Sequence, residues 1–228
     1  MQKLFFLLGA LFHLTAPASS LIAGVPAAAG IVISKRTILT SISCVENQSA
    51  LTLKVRVGSL RRTAGGTQLG VSRIIKDPEV SVGGLLAGAD GPALVIVKLD
   101  IPIDGKNIAA AKLAAASESA GANVVIAGWG LTSATNTQQP ATLSKTTVTV
   151  QKPSACESLV SQLLPAQEFC VAQAATQKGV TCLGDTGDGV SRNGIIYGIV
   201  GNKHGCGTAS DVVIDVAKYL SFIQANKQ

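Results

Sequence analysis

From Ile31 onward the chain runs in short apolar segments of four to eight residues, set apart by clusters of Gly, Asn, Asp, Pro and Ser. IVIS at 31–34, TILTSI at 37–42, LTLKVRV at 51–57 and GVSRII at 70–75 are rich in β-branched residues and bounded by turn formers. ALVIVKL at 93–99, NVVIAGWG at 123–130, TTVTV at 146–150, GIIYGIV at 194–200 and DVVIDV at 211–216 continue the series. Runs of this length and content read as strands, and their spacing predicts an all-β sandwich or barrel. The Ala-, Ser- and Gly-rich stretch 104–122 is weakly patterned and reads as a join between two halves. Only the C-terminus breaks the pattern. There Val216, Tyr219, Leu220 and Ile223 fall at helical spacing, which predicts a terminal helix over 216–227 with one apolar face.

The first twenty residues follow another rule. Lys3 precedes the apolar run Leu4–Leu14, and a small-residue segment, APASS, follows it. That order predicts a secretory leader at 1–20, cut after Ser20 or Ala18. The run is too short to cross a bilayer, and no later run is longer, so no membrane span is expected. A secreted, extracellular location with persistent disulfides follows. The chain has 228 residues, 47% hydrophobic and 14% charged, which supplies a sizeable core and excludes disorder. Its formal charge is +6, or 18 − 13 = +5 once Lys3 leaves. The basic residues are scattered along the sequence, the longest cluster being Arg61-Arg62, so a solvated surface is expected and no nucleic-acid partner. Five cysteines stand at 44, 156, 170, 182 and 206, so at least one is unpaired or pairs outside the chain. Asn47-Gln48-Ser49 is the one N-x-[ST] sequon and makes Asn47 a candidate glycan site. Nothing in the sequence calls for a metal or a cofactor.

Several segments, taken in order, carry a family resemblance: GIVISKRTILTSISCV, VRVGSLRRTAGG, GPALVIVKLD, NVVIAGWG, TCLGDTGDGV, GIIYGIV and the terminal helix. From about Gly30 to the end the chain resembles the trypsin-like serine proteases, and its middle is most similar to secreted fungal trypsins. The resemblance implies the chymotrypsin fold: two packed antiparallel six-stranded-type β-barrels and a C-terminal helix. The N-terminal barrel is then 21–112 and the C-terminal barrel with the helix 113–228. Between Ile22 and Gly30 the family has a further strand and loop that this chain lacks, so the first barrel is expected to be incomplete.

The resemblance also implies what stands at the catalytic positions. Ser43, in LTSISC, occupies the place of the family's histidine; Ala93, in ALVIVKL, that of its aspartate; Thr186, in GDTGDG, that of its nucleophilic serine. Gly184 and Thr186 retain the two backbone N–H groups of the oxyanion hole. In the specificity pocket Val180 replaces the aspartate that reads a basic side chain. Gly201, Asn202 and Lys203 occupy the substrate-pairing edge, and Asp211 falls where a pocket glycine is expected, so that a Lys203–Asp211 pair fills the cavity or both side chains face water. Asp185 matches the residue that pairs with a processed N-terminus, and Leu21-Ile22-Ala23-Gly24 resembles such a terminus without the preceding basic residue. Cys156–Cys170 and Cys182–Cys206 match family disulfides; the partner position of Cys44 is Ala28, which leaves Cys44 unpaired.

A hydroxyl needs a neighbouring base, usually an imidazole, before it can attack. After leader removal His204 is the one histidine left, on a pocket loop with nothing to orient it. The expected function is therefore that of a secreted, catalytically inactive protease homologue acting by binding an extracellular protein, as effector, decoy or inhibitor. Two alternatives stay open: a weak hydrolase using Thr186, and a decayed or wrongly assembled gene product.

Overall fold

The computed structural model describes residues 11–15, 29–45, 48–78, 94–104, 108–133, 135–136, 138–160, 166–172, 182–203 and 211–228. Its thirteen described strands form two sheets. The first is a closed barrel in the order β1-β2-β3-β6-β5-β4, built from Leu11–Thr15 (β1), Ala29–Ser34 (β2), Thr37–Ser41 (β3), Lys54–Val57 (β4), Thr67–Lys76 (β5) and Leu94–Leu99 (β6). The second runs in the order β11-β8-β9-β10-β13-β12-β7, with β11 also paired to β12. Its strands are Lys112–Leu113 (β7), Asn123–Gly128 (β8), Ser144–Val150 (β9), Glu168–Ala172 (β10), Gly189–Arg192 (β11), Ile195–Lys203 (β12) and Asp211–Asp215 (β13). The fold is the chymotrypsin fold, and every strand expected from the apolar runs is present.

One expectation is corrected. The first barrel is not incomplete: β1 pairs antiparallel with β2 through Leu11↔Ile31 and with β4 through His13↔Arg56, and so closes the ring. A closed barrel leaves no row of unpaired backbone groups, and an extended apolar segment outside 22–30 fills the vacancy. That segment lies inside the stretch read as a leader, so a cut after Ser20 would take a barrel strand with it.

Why the runs are so apolar is clear from the packing. Along β2, Ile31 and Ile33 face one cluster and Val32 another; along β6, Leu94 and Ile96 alternate with Val95 and Val97 in the same way. Strands buried on both faces need apolar residues at every position rather than every second one. Val32, Ile38, Val55, Leu69, Val71, Val95, Val97 and Leu99 fill the first barrel. Val124, Ile126, Val148, Phe169, Val171, Val190, Val200 and Val213 fill the second. Between the two lies a third cluster, in which Ile31, Ile33, Leu39, Leu94 and Ile96 meet Ile199, Ile214, Val216, Tyr219 and Ile223.

Two helices complete the described residues: α1 at Pro153–Val160 and α2 at Leu220–Asn226. The terminal helix begins as a tighter 3₁₀ turn at Val216–Tyr219, capped by Asp215, whose carboxylate accepts the Ala217 N–H at 3.0 Å. Its apolar face enters the inter-barrel cluster, as its spacing predicts. The end of the chain is tied back to the first barrel. Thr37 Oγ1 donates to the Lys227 carbonyl at 2.8 Å, and the buried Lys98 ammonium donates to Thr37 Oγ1 at 3.0 Å and to the Gln228 carbonyl oxygen. No helix among the described residues is long and apolar enough to cross a membrane.

Candidate active site

The loop from Cys182 to Gly189 runs between the barrels, and its geometry is fixed by backbone and carboxylate bonds. Gly184 and Gly187 adopt φ of +97° and +89°, conformations that side chains with a Cβ rarely take. A Cβ on Gly187 would lie 2.1 Å from the Ala29 carbonyl oxygen, so β2 and the loop are pressed together there. The Ala29 N–H donates to the Thr186 carbonyl at 3.0 Å and the Gly187 N–H to the Val200 carbonyl at 2.8 Å, which pins the loop to both barrels.

Asp185 is buried, and its carboxylate accepts the Gly130 N–H at 2.6 Å and the Cys182 N–H at 2.8 Å. These are the donors a buried carboxylate requires. Asp188 is fully buried a few residues on. A Cβ on Gly128 would lie 1.7 Å from Asp188 Oδ2 and 2.5 Å from Asp185 Oδ1, so the two carboxylates approach each other where that glycine has no side chain. This pairing was not foreseen from the sequence, although Asp188 stands where the family motif has glycine.

Facing the loop is the turn Ile42–Cys44 that follows β3. Cys44 Sγ lies 3.5 Å from the Thr186 carbonyl oxygen, so the turn bearing Ser43 abuts the loop bearing Thr186. Ser43 is exposed and its hydroxyl lies 2.9 Å from that of Ser41. Cys44 is a free, buried thiol. Burial pushes its pKa up to about 12, against hydrogen bonds from Thr40 and Ser41 that lower it, and the charge of Asp188 adds to the rise. Such a thiol is inert.

Of the pocket positions, Gly201 is buried on β12, and Lys203 stands directly opposite Asp211 in the β12–β13 register. Asp211 is itself buried. The backbone thus brings together the two residues whose pairing was in question. Cys156 and Cys170 form a disulfide joining α1 to β10. Cys182 is disulfide-bonded as well. Its expected partner Cys206 lies outside the described residues, as do Ala93, Val180, His204, Leu21–Gly24 and the sequon residue Asn47. Asn202 belongs to β12 by its backbone. No group of three or more potential metal ligands occurs among the described residues.

A two-barrel frame with a Gly-Asp-Thr-Gly loop between the barrels, facing the turn after the third strand, defines a serine-protease-type scaffold. The family model described as Trypsin matches residues 17–223, and the chain belongs to that family. Among curated relatives, Trypsin Blo t 3 of Blomia tropicalis is 28% identical over 202 residues, covering 86% of this chain and 75% of its own length. Trypsin delta of Drosophila melanogaster is 28% identical over 204 residues, with 86% and 77% covered. Among solved structures, mouse neuropsin superposes with a TM-score of 0.81 at 18% identity, covering 96% of this chain and 94% of its own. The scabies mite inactivated protease paralogue S-D1 gives 0.78 at 18% identity, with 95% and 90% covered.

Proposed function

We propose that this trypsin-family chain has lost proteolysis and works by binding another extracellular protein, as effector, decoy or inhibitor. The observation that carries this reading is the neighbour of Thr186. The turn that abuts its loop offers a serine hydroxyl, Ser43, within hydrogen-bond distance of Ser41. A hydroxyl cannot accept a proton from another hydroxyl near neutral pH, so Thr186 has no base there. The departure from the family at Ala93, and the backbone register that sets Lys203 opposite Asp211, support the same conclusion. So does the likeness in fold to a mite protein described as an inactivated protease paralogue.

A second reading rests on Gly184, whose φ of +97° keeps the turn from which an oxyanion hole is made. It is a slow hydrolase using Thr186. A fluorophosphonate probe separates the two. The first reading expects no labelling of the secreted protein above that of a Thr186→Ala variant. Labelling that disappears in Thr186→Ala would replace it with the second. If labelling is absent, recovery of one extracellular protein by the immobilised chain, reproduced with purified components, completes the test; failure to recover any removes the binding role.

A further inference from the structure

Basic residues are denser in the first half of the chain than in the second. Residues 29–113 hold eleven Lys and Arg against six Asp and Glu, whereas 114–228 hold seven against seven, so the excess charge sits on the first barrel. Within 54–76 there are six cations, Lys54, Arg56, Arg61, Arg62, Arg73 and Lys76, and no acidic residue.

We propose that the outer face of the β4–β5 hairpin and the loop at its tip form a binding site for a linear anionic polysaccharide bearing sulfate and carboxylate groups. Lys54 and Arg56 alternate along β4 with the buried Val55 and Val57, so their side chains leave the barrel on its outer face. The tip loop pairs with the segment before β9: the Arg62 N–H donates to the Ala141 carbonyl at 3.0 Å, the Leu143 N–H donates to the Leu60 carbonyl at 2.9 Å, and Arg61 bridges Thr142. That pairing brings Lys145, exposed at the start of β9, to the end of the same band. Asp100 lies beside the band: a Cβ on Gly70 would lie 2.3 Å from Asp100 Oδ2 and 3.4 Å from Lys54 Nζ. Asp100 therefore marks one end of the band.

The loop is held in place without a ligand. Arg56 Nη1 donates to the Gly65 carbonyl at 2.7 Å, Ser59 Oγ donates to the Ala64 carbonyl at 2.6 Å, and Trp129 Nε1 donates to the Leu60 carbonyl at 3.0 Å. A preset row of cations loses little conformational freedom when a polyanion arrives. Guanidinium forks at Arg61 and Arg62 suit the planar or trigonal faces of carboxylate and sulfate.

Other polyanions fit less well. No aromatic residue lies within 54–76, so there is no platform on which bases can stack. A folded acidic protein needs a buried apolar anchor, and Leu60 is the sole large exposed hydrophobic residue described in the band. An extended chain with repeating anionic groups asks only for cations at strand spacing, roughly 7 Å between alternate residues.

The site does not depend on whether Thr186 is active. Heparin is the probe, and the full secreted chain is titrated with it at several salt concentrations. The expected result is binding that weakens as salt rises, by counterion release. A Lys54→Gln/Arg61→Gln pair is expected to lose about tenfold in affinity at moderate salt, with a shallower salt slope. Lys152→Gln/Lys218→Gln removes equal charge from exposed positions of the second barrel and should change affinity less than twofold. If the pair variant melts below the parent, Arg61→Gln alone, on the exposed loop, decides the matter. Equal losses in both pairs, or no binding, would overturn the site. Duplex DNA binding as tightly as heparin would overturn the polysaccharide assignment.

Discussion

Single residues on the second barrel and beside the loop set measurable properties. Glu168 is pushed up from its ordinary 4.5 to about 8 by burial at the start of β10. The folded chain holds that proton at pH values where the unfolded chain has released it. The resulting stability is full below about 4.5 and is lost as pH rises through 8. Glu168→Gln, neutral throughout, should melt higher than the parent at pH 8.5 and about the same at pH 4. A constant offset across pH would show that the carboxyl does not titrate this way. Gly128 is a second such residue. Alanine there would drive a methyl into the Asp188 and Asp185 carboxylates, and overpacking of this kind costs roughly 1–3 kcal/mol. Denaturant midpoints should record that loss, and Asp188→Gly in the same background should recover most of it. A Gly128→Ala chain as stable as the parent would mean that the carboxylates move aside freely.

At the scale of elements, the informative strand is β1. Among the described strands it alone joins β2 to β4, and its residues lie within the segment read as a leader. A chain that begins at Leu21 should exchange its β2 and β4 amide protons faster than those of β3 and β6, because two strand edges open together. Equal protection on all four would mean that another segment takes the slot. The reading of strands from apolar runs was sound because each run is bounded by turn formers. Four elements escaped it for physical reasons. β1 overlaps a leader-like composition. β7 is two residues long. β10, EFCVA, opens on a carboxylate whose burial no local pattern announces. β11, GVSR, begins on the glycine that ends the candidate active-site loop.

At the scale of the molecule, the inter-barrel cluster decides cooperativity. Ile33 and Leu94 from the first barrel pack there with Ile214 and Tyr219 from the second half, all nearly or fully buried. Neither barrel covers that face alone. Ile33→Ala should cost about 2–5 kcal/mol and lower the melting of both barrels in one transition, followed by calorimetry and by Trp129 fluorescence. Two separated transitions would show that the barrels fold independently.

How much of the site was legible follows from what a motif encodes. GDTGDG marked Gly184 as an oxyanion-hole position, where the structure gives a positive φ, and LTSISC put a serine, Ser43, in the turn that abuts the loop. The approach of Asp185 to Asp188 was not legible, because it depends on the missing side chain of Gly128, almost sixty residues earlier in the chain. By itself the sequence determined the β class, the terminal helix and the family, since local pattern and motif order suffice for these. The tertiary structure alone decided which segment closes the first barrel and which face of each double-sided strand meets which core. Both depend on strand order and on contacts between residues far apart in the chain, which no local pattern records; the cations are already dense in 54–76, and the fold adds Lys145 to them.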